Sequence, residues 1–345
     1  MALSKTAKMP QPVANPSGLG APLQGFPLIE TQDLDEFSHG VTRLFGDFSF
    51  DISIDRKLPR TFGARVNHLQ LGQVGIMYGR YGSQIRARFS DVQFYTQGIT
   101  LTGSGEQATG SRRHVVHDNI GGVLSPSTPI GLTLGHGFEH VALLIAPDAV
   151  VSKLTAITGR PIGHPPRMSG ETDLRKPEAA RLRELTIRLT RRTFYGAPAP
   201  LFVSDMEQRA ILLFLLANDH DYRNEFDAEP PQIASWQVQR AEEFIESNWD
   251  RHISIEMLSA VSGCSFRSLF HQFKLGRGYT PMQFARHVRL QRAKQMLSQP
   301  DETTSVTEVA LTCGFGNLGH FSGYYREEFG ELPSKTLERG RQKGG

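Results

Sequence analysis

An α+β fold is expected for this chain, with a β-rich N-terminal part, helices after it, and an all-α C-terminal domain. Three observations lead there. From about Phe26 to Ile162, short apolar or alternating runs such as GQVGIMYGRYG, VQFYTQGITLTGSG and EHVALLIAP are broken by Gly, Pro, Asn and Asp, the texture of short strands in a sandwich or barrel. From Pro177 the apolar spacing lengthens to that of helices, and from Trp236 onward every segment reads as helical. Finally, 345 residues are more than one small core organises, which suggests two domains.

The element order follows from these patterns. Residues 1–25, rich in Pro, Gly and Ala and without an apolar signal core, read as a disordered tail. Residues 26–220 form a sensing and dimerisation domain, β-rich over 26–165 and helical over 175–220. Within it, Leu182, Leu185, Ile187 and Leu189 mark one helix. Met206, Ala210, Leu213, Phe214 and Ala217 mark a second, apolar enough to be buried under the β domain or against another subunit. The polar stretch 221–235 with its Pro-Pro pair reads as a linker, and 236–339 as a compact helical domain.

Composition excludes some classes of function. No apolar run reaches the about 18 residues of a spanning helix. The two cysteines, Cys264 and Cys313, are too few and too isolated for a disulfide framework or a zinc site, which suits a reduced cytoplasmic location. A net charge of +3 says little, but its distribution says more. Between Ser265 and Pro300 there is no Asp or Glu, while Arg267, Lys274, Arg277, Arg286, Arg289, Arg292 and Lys294 all fall there. That stretch is either a phosphate-binding surface or a solvated helix face.

Two segments of the helical domain share a layout. In ISIEMLSAVSGCSFRSLFHQFKLGRG, Ser254 can cap a short helix bearing Met257, Leu258 and Val261. Ser262-Gly263 makes a turn, and Ser265 can cap a second helix bearing Leu269, Phe270 and Phe273. In TSVTEVALTCGFGNLGHFSGYYREEFG, a helix around Val306, Val309 and Ala310 meets a Cys-Gly turn. A second helix then starts near Asn317 and carries Phe321, Tyr325 and Phe329. Ala260 and Ala310 are the small residues that would let paired helices cross steeply, as a helix-turn-helix requires. A helix from about Pro281 to Leu297 separates the two units and would set them into successive major-groove turns about 34 Å apart.

These pieces resemble the AraC/XylS family of transcription regulators. The resemblance runs over about residues 236–339. It is carried by RSLFHQF, by GYTPMQFARHVRLQRAKQML with its Gly-x-x-Pro and Arg-Leu-x-x-Ala, by the Gly-Phe of VTEVALTCGFGNLGHF, and by FGELPSKTL. The ending FGELPSKTL and the His-Phe after Leu318-Gly319 are closest to the XylS branch, whose members respond to benzoate-like aromatic acids. The resemblance implies a sequence-specific DNA-binding regulator, an activator working as a homodimer with RNA polymerase, and a cupin-like N-terminal barrel for a small aromatic effector. It implies no enzymatic activity and no cofactor.

Ser265, Arg267, Ser268, His271, Gln272 and Lys274 are the expected DNA contacts of the first unit. Arg267 and His271 stand at the family's base-reading positions, Gln272 and Lys274 meet phosphate, and His271 remains open to being a bystander. For the second unit the expected contacts are Asn317, Leu318, His320, Ser322, Tyr324 and Arg326. Gly319 and Gly323 present no side chain there, so the first unit should dominate specificity.

If the effector is an aromatic carboxylate, its pocket needs apolar walls and a cation. The candidate cations are Arg65, Arg80, Arg86 and Arg88, and the candidate rings are Phe62, Tyr78, Tyr81, Phe94 and Tyr95. Arg86 and Arg88, two residues apart, alternatively form one solvated strand face. His114, His117, His136 and His140 lack a His-x-His pair with a following Glu, so no metal is expected. Two other readings stay open: a β domain that serves only dimerisation or protein binding, and a cupin enzyme fused to a DNA-binding module.

Overall fold

The computed structural model describes residues 21–45, 50–54, 62–191, 200–227, 230 and 232–344. Along the chain run β1 (Pro27–Thr31), α1 (Leu34–Phe45), β2 (Phe50–Ile54), β3 (Ala64–Leu71), β4 (Val74–Tyr81), β5 (Ile85–Phe89), β6 (Tyr95–Thr102), β7 (Gly105–Thr109), β8 (Arg112–Val116), β9 (Ile120–Leu124), β10 (Ile130–Leu134) and β11 (Phe138–Ile145). After these come α2 (Pro147–Thr158), β12 (Glu171–Asp173), α3 (Pro177–Arg191), α4 (Pro200–Ala217) and α5 (Asn224–Asp227). The closing helices are α6 (Ser235–Ser247), α7 (Ile255–Ser262), α8 (Phe266–Arg277), α9 (Pro281–Ser298), α10 (Val306–Thr312), α11 (Leu318–Phe329) and α12 (Pro333–Gly344).

The chain forms two compact units that are not two continuous stretches. One comprises Met1–Val151, Gly163–Gly196 and Arg209–Asn224; the other comprises Ser152–Ile162, Ala197–Gln208 and Glu225–Gly345. The chain therefore passes between units within α2 and α4 as well as near residue 224, where the sequence suggested a single linker at 221–235.

The first unit is built on two sheets, ordered β1-β3-β4-β11-β6-β9-β12 and β2-β5-β10-β7-β8. Side chains alternate across the strands. In β5, Ile85 and Ala87 are buried while Arg86 and Arg88 are exposed. The core lies between the sheets and joins Val66, Met77 and Tyr81 from one to Ile85, Ala87 and Leu134 from the other. β11 is buried almost throughout because α3 covers its other face. A smaller cluster of Ile99, Leu174 and Ala179 seals that layer, with Ile187 and Ala217 against it.

One helix of this half, α1, was not legible as a helix in the sequence. In α1, Phe37 and Val41 are buried and pack with Leu34 at helical spacing, but Gly40 interrupts the pattern. The glycine is needed because α1 lies so close to β1 that a Cβ would come within 2.4 Å of the Ile29 side chain. In α2, Val150, Leu154 and Ile157 form the buried stripe. The expected tail is shorter than 1–25: residues 21–25 form a turn in which Leu23 is 3% exposed and its amide donates to the Thr190 carbonyl at 2.9 Å. Residues 1–20 lie outside the described residues.

The helical domain is set by its caps. Hydroxyls of Ser254, Ser265, Thr280 and Ser305 and the Asn317 carboxamide each accept a backbone N–H three residues on, at 3.0–3.1 Å. Thr280 and Gln283 complete a reciprocal capping box ahead of Pro281. Gly263 and Gly278 end α7 and α8 with φ of +63° and +78°, a conformation glycine adopts without strain. Ala310 is fully buried as expected, but Ala260 is exposed. On α7 the inward residues are Ile255, Leu258 and Ser262, and Ser262 is the small one among them.

Candidate nucleic-acid interface and effector cavity

α7 with α8 and α10 with α11 make two helix-turn-helix units in the second unit of the chain, with α9 between them. On α8, Phe266, Leu269 and Phe273 are buried. Arg267 and His271, four residues apart, therefore share the opposite face. Both are half-buried, as is Gln272, while Lys274 is exposed. Arg267 is already engaged: its guanidinium donates to the Glu225 carbonyl, and the Glu225 carboxylate pairs with Arg160. Base reading by Arg267 thus requires release of that carbonyl.

Ser268 does not face outward as expected. It is 1% exposed, because its short side chain folds back on the helix cap and its hydroxyl meets that of Ser265 at 2.9 Å. Phe270, on the same helix as the packed Leu269 and Phe273, is 41% exposed. The acid-free basic stretch also divides into structural and exposed cations. Arg289 donates to the Trp249 and Arg251 carbonyls at 3.0 Å and ties α9 to the loop after α6, so it is a structural cation. Arg277 pairs with Glu242 at 2.8 Å, and Arg286 stacks 4.2 Å over the Tyr324 ring. Lys274, Arg277 and Arg292 are the exposed members.

On α11, Phe321 and Tyr325 are buried, and Leu318, His320 and Arg326 are exposed. Asn317 spends its carboxamide oxygen on the His320 amide at 3.0 Å. Ser322 and Tyr324 are half-buried. Gly319 and Gly323 leave a shallow hollow beside His320, Tyr324, Arg326 and Glu327, and a Cβ on Gly323 would meet nothing within 4 Å. Glycine inside a helix costs up to about 1 kcal/mol relative to alanine. Gly323→Ala should therefore raise the melting temperature by a few degrees in a calorimetric scan, and a lower melting temperature would show that the site is not open.

The first unit holds a partly open cavity of about 130 Å³. Its walls carry the rings of Phe37, Tyr81, Phe89 and Phe138 and the aliphatic chains of Val66, Met77, Ile85 and Leu134. The polar residues on the wall are Asp91, Thr96, Thr100, Gln107 and His140. The Tyr81 hydroxyl stands 3.3 Å from His140 Nε2, and burial holds the His140 imidazole down to a pKa of about 4, hence neutral at pH 7.

None of the sequence-predicted cations lines this cavity. Arg65 pairs with Glu30, and Arg80 with Glu139 at 3.1 Å. Arg86 and Arg88 lie on the solvent face of β5, because alternation sends Ile85 and Ala87 inward. Phe62 and Phe94 belong to the core around the cavity without lining it, and Phe62 packs 5.5 Å from the Phe37 ring. Tyr78 points away from the side of β4 that carries Met77 and Tyr81. Tyr95 donates to the Pro166 carbonyl at 2.8 Å and packs on Phe214 instead. Of the expected ring contacts only Tyr81 lines the cavity. Asp91, in the loop after β5, and Thr96 and Gln107, on β6 and β7, were missed. Of the histidines first weighed for metal, His114 pairs with Glu171, His117 with Asp118, and His140 lines the cavity. Among the described residues no group of three potential ligands could hold a metal ion.

A β unit with an apolar cavity, on one chain with paired helix-turn-helix units, defines a DNA-binding transcription regulator. The chain belongs to the AraC family: the AraC-binding-like domain matches residues 37–216 and the helix-turn-helix domain residues 258–339. XylDLEGF operon transcriptional activator 2 of Pseudomonas putida is 43% identical over 106 residues, 30% of this chain and 68% of that protein. Activator 1 of the same operon and organism is 42% identical over 106 residues but is matched over only 32% of its length. The crystal structure of a probable AraC family transcriptional regulator from Rhodopseudomonas palustris CGA009 shares 53% identity, covering 31% of this chain and 98% of that one, at a TM-score of 0.30. No helix among the described residues is long and apolar enough to cross a membrane.

Proposed function

We propose that the protein is an effector-responsive transcriptional activator. A small aromatic molecule occupies the cavity of the β unit, a homodimer binds promoter DNA, and the bound dimer contacts RNA polymerase. The observation that carries this reading is the cavity itself, a concave, mostly apolar and ring-lined pocket with a few polar groups on its wall, the kind of surface that takes a small ligand. Arg267 and His271 read base edges from α8, Lys274 and Gln272 hold phosphate, and α11 anchors the second half of the site through Tyr324 and Arg326. The names of the Pseudomonas activators are consistent with activation.

The test is a fluorescence titration of an operator duplex, selected from random DNA, with and without a panel of small aromatic compounds. A coupled effector should change affinity by about 5-fold or more. Ala142→Phe, which fills the cavity from a buried wall position, should remove the response. If no compound on the panel changes DNA affinity or melting temperature, the β unit serves dimerisation or protein binding instead.

A further inference from the structure

Deepening that effector reading, on which it rests, we infer that the cavity takes a single aromatic ring bearing a neutral hydroxyl or amine donor, a phenol or an aniline, and discriminates against the corresponding carboxylate. Size sets the first limit. A cavity of about 130 Å³ is close to the roughly 150 Å³ that accommodates benzene in an apolar protein interior. Phe37, Tyr81, Phe89 and Phe138 offer ring faces and edges around it, a surface suited to tilted ring packing.

The polar wall sets the second limit, because its uncommitted atoms include several acceptors. Asp91 Oδ2 accepts from the Gln93 amide at 2.7 Å, while Oδ1 is buried without a hydrogen-bond partner. Gln107 is 3% exposed and spends its Nε2 on the Val123 and Gly170 carbonyls, at 3.1 and 3.0 Å. Its Oε1 then turns toward Gly122, where a Cβ would come within 2.1 Å of it, so this orientation depends on that glycine. Thr96 Oγ1 is likewise buried and unpartnered. A ligand N–H or O–H satisfies such acceptors, and a buried polar atom without a partner is costly.

An anionic ligand meets the opposite situation. It would place a second carboxylate in a cavity that already holds Asp91, and no Lys or Arg stands on the described wall. The neutral imidazole of His140 supplies no counter-charge. Thr100 lies directly across from His140 on β6, four residues along from Thr96, so the polar groups fall toward two ends of the strand with apolar wall between. That layout suits one ring with a donor at its edge.

The experiment is a thermal-shift and calorimetric titration of the full chain with phenol, aniline, toluene and benzoate as probes. Phenol and aniline should bind at least about tenfold more tightly than benzoate and toluene, the worth of one good hydrogen bond to a charged acceptor. Asp91→Asn should narrow the gap between aniline and benzoate at least about threefold, and Gln107→Leu gives a second variant should the first not fold. Benzoate binding as tightly as phenol overturns the inference while leaving the effector reading in place. Toluene binding as tightly as phenol overturns it too, since apolar fit alone would then explain selection. If none of the four binds, the effector reading falls and the inference falls with it.

Discussion

Arg267→Ala should weaken binding to a selected operator by about 5- to 150-fold at fixed salt, and His320→Ala by much less. A bidentate guanidinium contact to a guanine edge is worth roughly 1–3 kcal/mol of discrimination, and Arg267 lies opposite the buried Leu269 and Phe273 on α8. Part of that gain is offset, because the free protein already gives Arg267 an acceptor in the Glu225 carbonyl. The loss should therefore sit toward the lower half of the range. His320 stands at the first turn of α11 on a face thinned by Gly319 and Gly323. A larger loss from the His320 change would reverse the ranking of the two units.

Acid should destabilise the protein before its carboxylates titrate. His68 and His140 are both held down to a pKa of about 4 by burial, and His68 is 1% exposed with neither ring nitrogen hydrogen-bonded. The unfolded chain binds a proton at each near pH 6.5, whereas the folded chain does not until near pH 4. Stability is thus full above about pH 6.5, declines as the pH falls toward 4, and levels off below that for these two groups. At pH 5 the loss is of order 2 kcal/mol per histidine. Melting temperatures of the wild type and of a His68→Gln, His140→Gln variant, followed from pH 7.5 to 5, should show the steeper fall in the wild type. Parallel curves would mean that the histidines are reached by water or paired.

What could be read from the sequence was the helical domain, where each decision is local. Ser254, Ser265 and Asn317 announce their helices because a cap needs only its own next three residues. The packed residues of α8 follow from a period of 3.6 once that start is fixed. Ser268 escaped the pattern because a short hydroxyl can fold back onto its cap instead of following the helical face.

The β unit was harder because alternation gives two faces without saying which is the inner one. The pairs Arg86 and Arg88, Ile85 and Ala87 are equally periodic, and the packing of Ile85 and Ala87 against Val66, Met77 and Tyr81 of the other sheet makes theirs the inner face. The cavity was least legible, since Asp91, Thr96, Gln107 and His140 come from separate strands and loops and meet only through long-range pairing. Gly40 hid α1 for a related reason: it answers to Ile29, eleven residues back on a neighbouring strand, rather than to its own helix.

In the proposed function, occupancy of the β-unit cavity controls transcription through the paired helix-turn-helix units. The direct measurement is transcript yield in a purified system of RNA polymerase, this protein and a promoter carrying its operator, with and without a saturating ring ligand. A ligand-dependent rise in transcript that Ala142→Phe abolishes is expected. Equal yields with and without a ligand that demonstrably binds would contradict it.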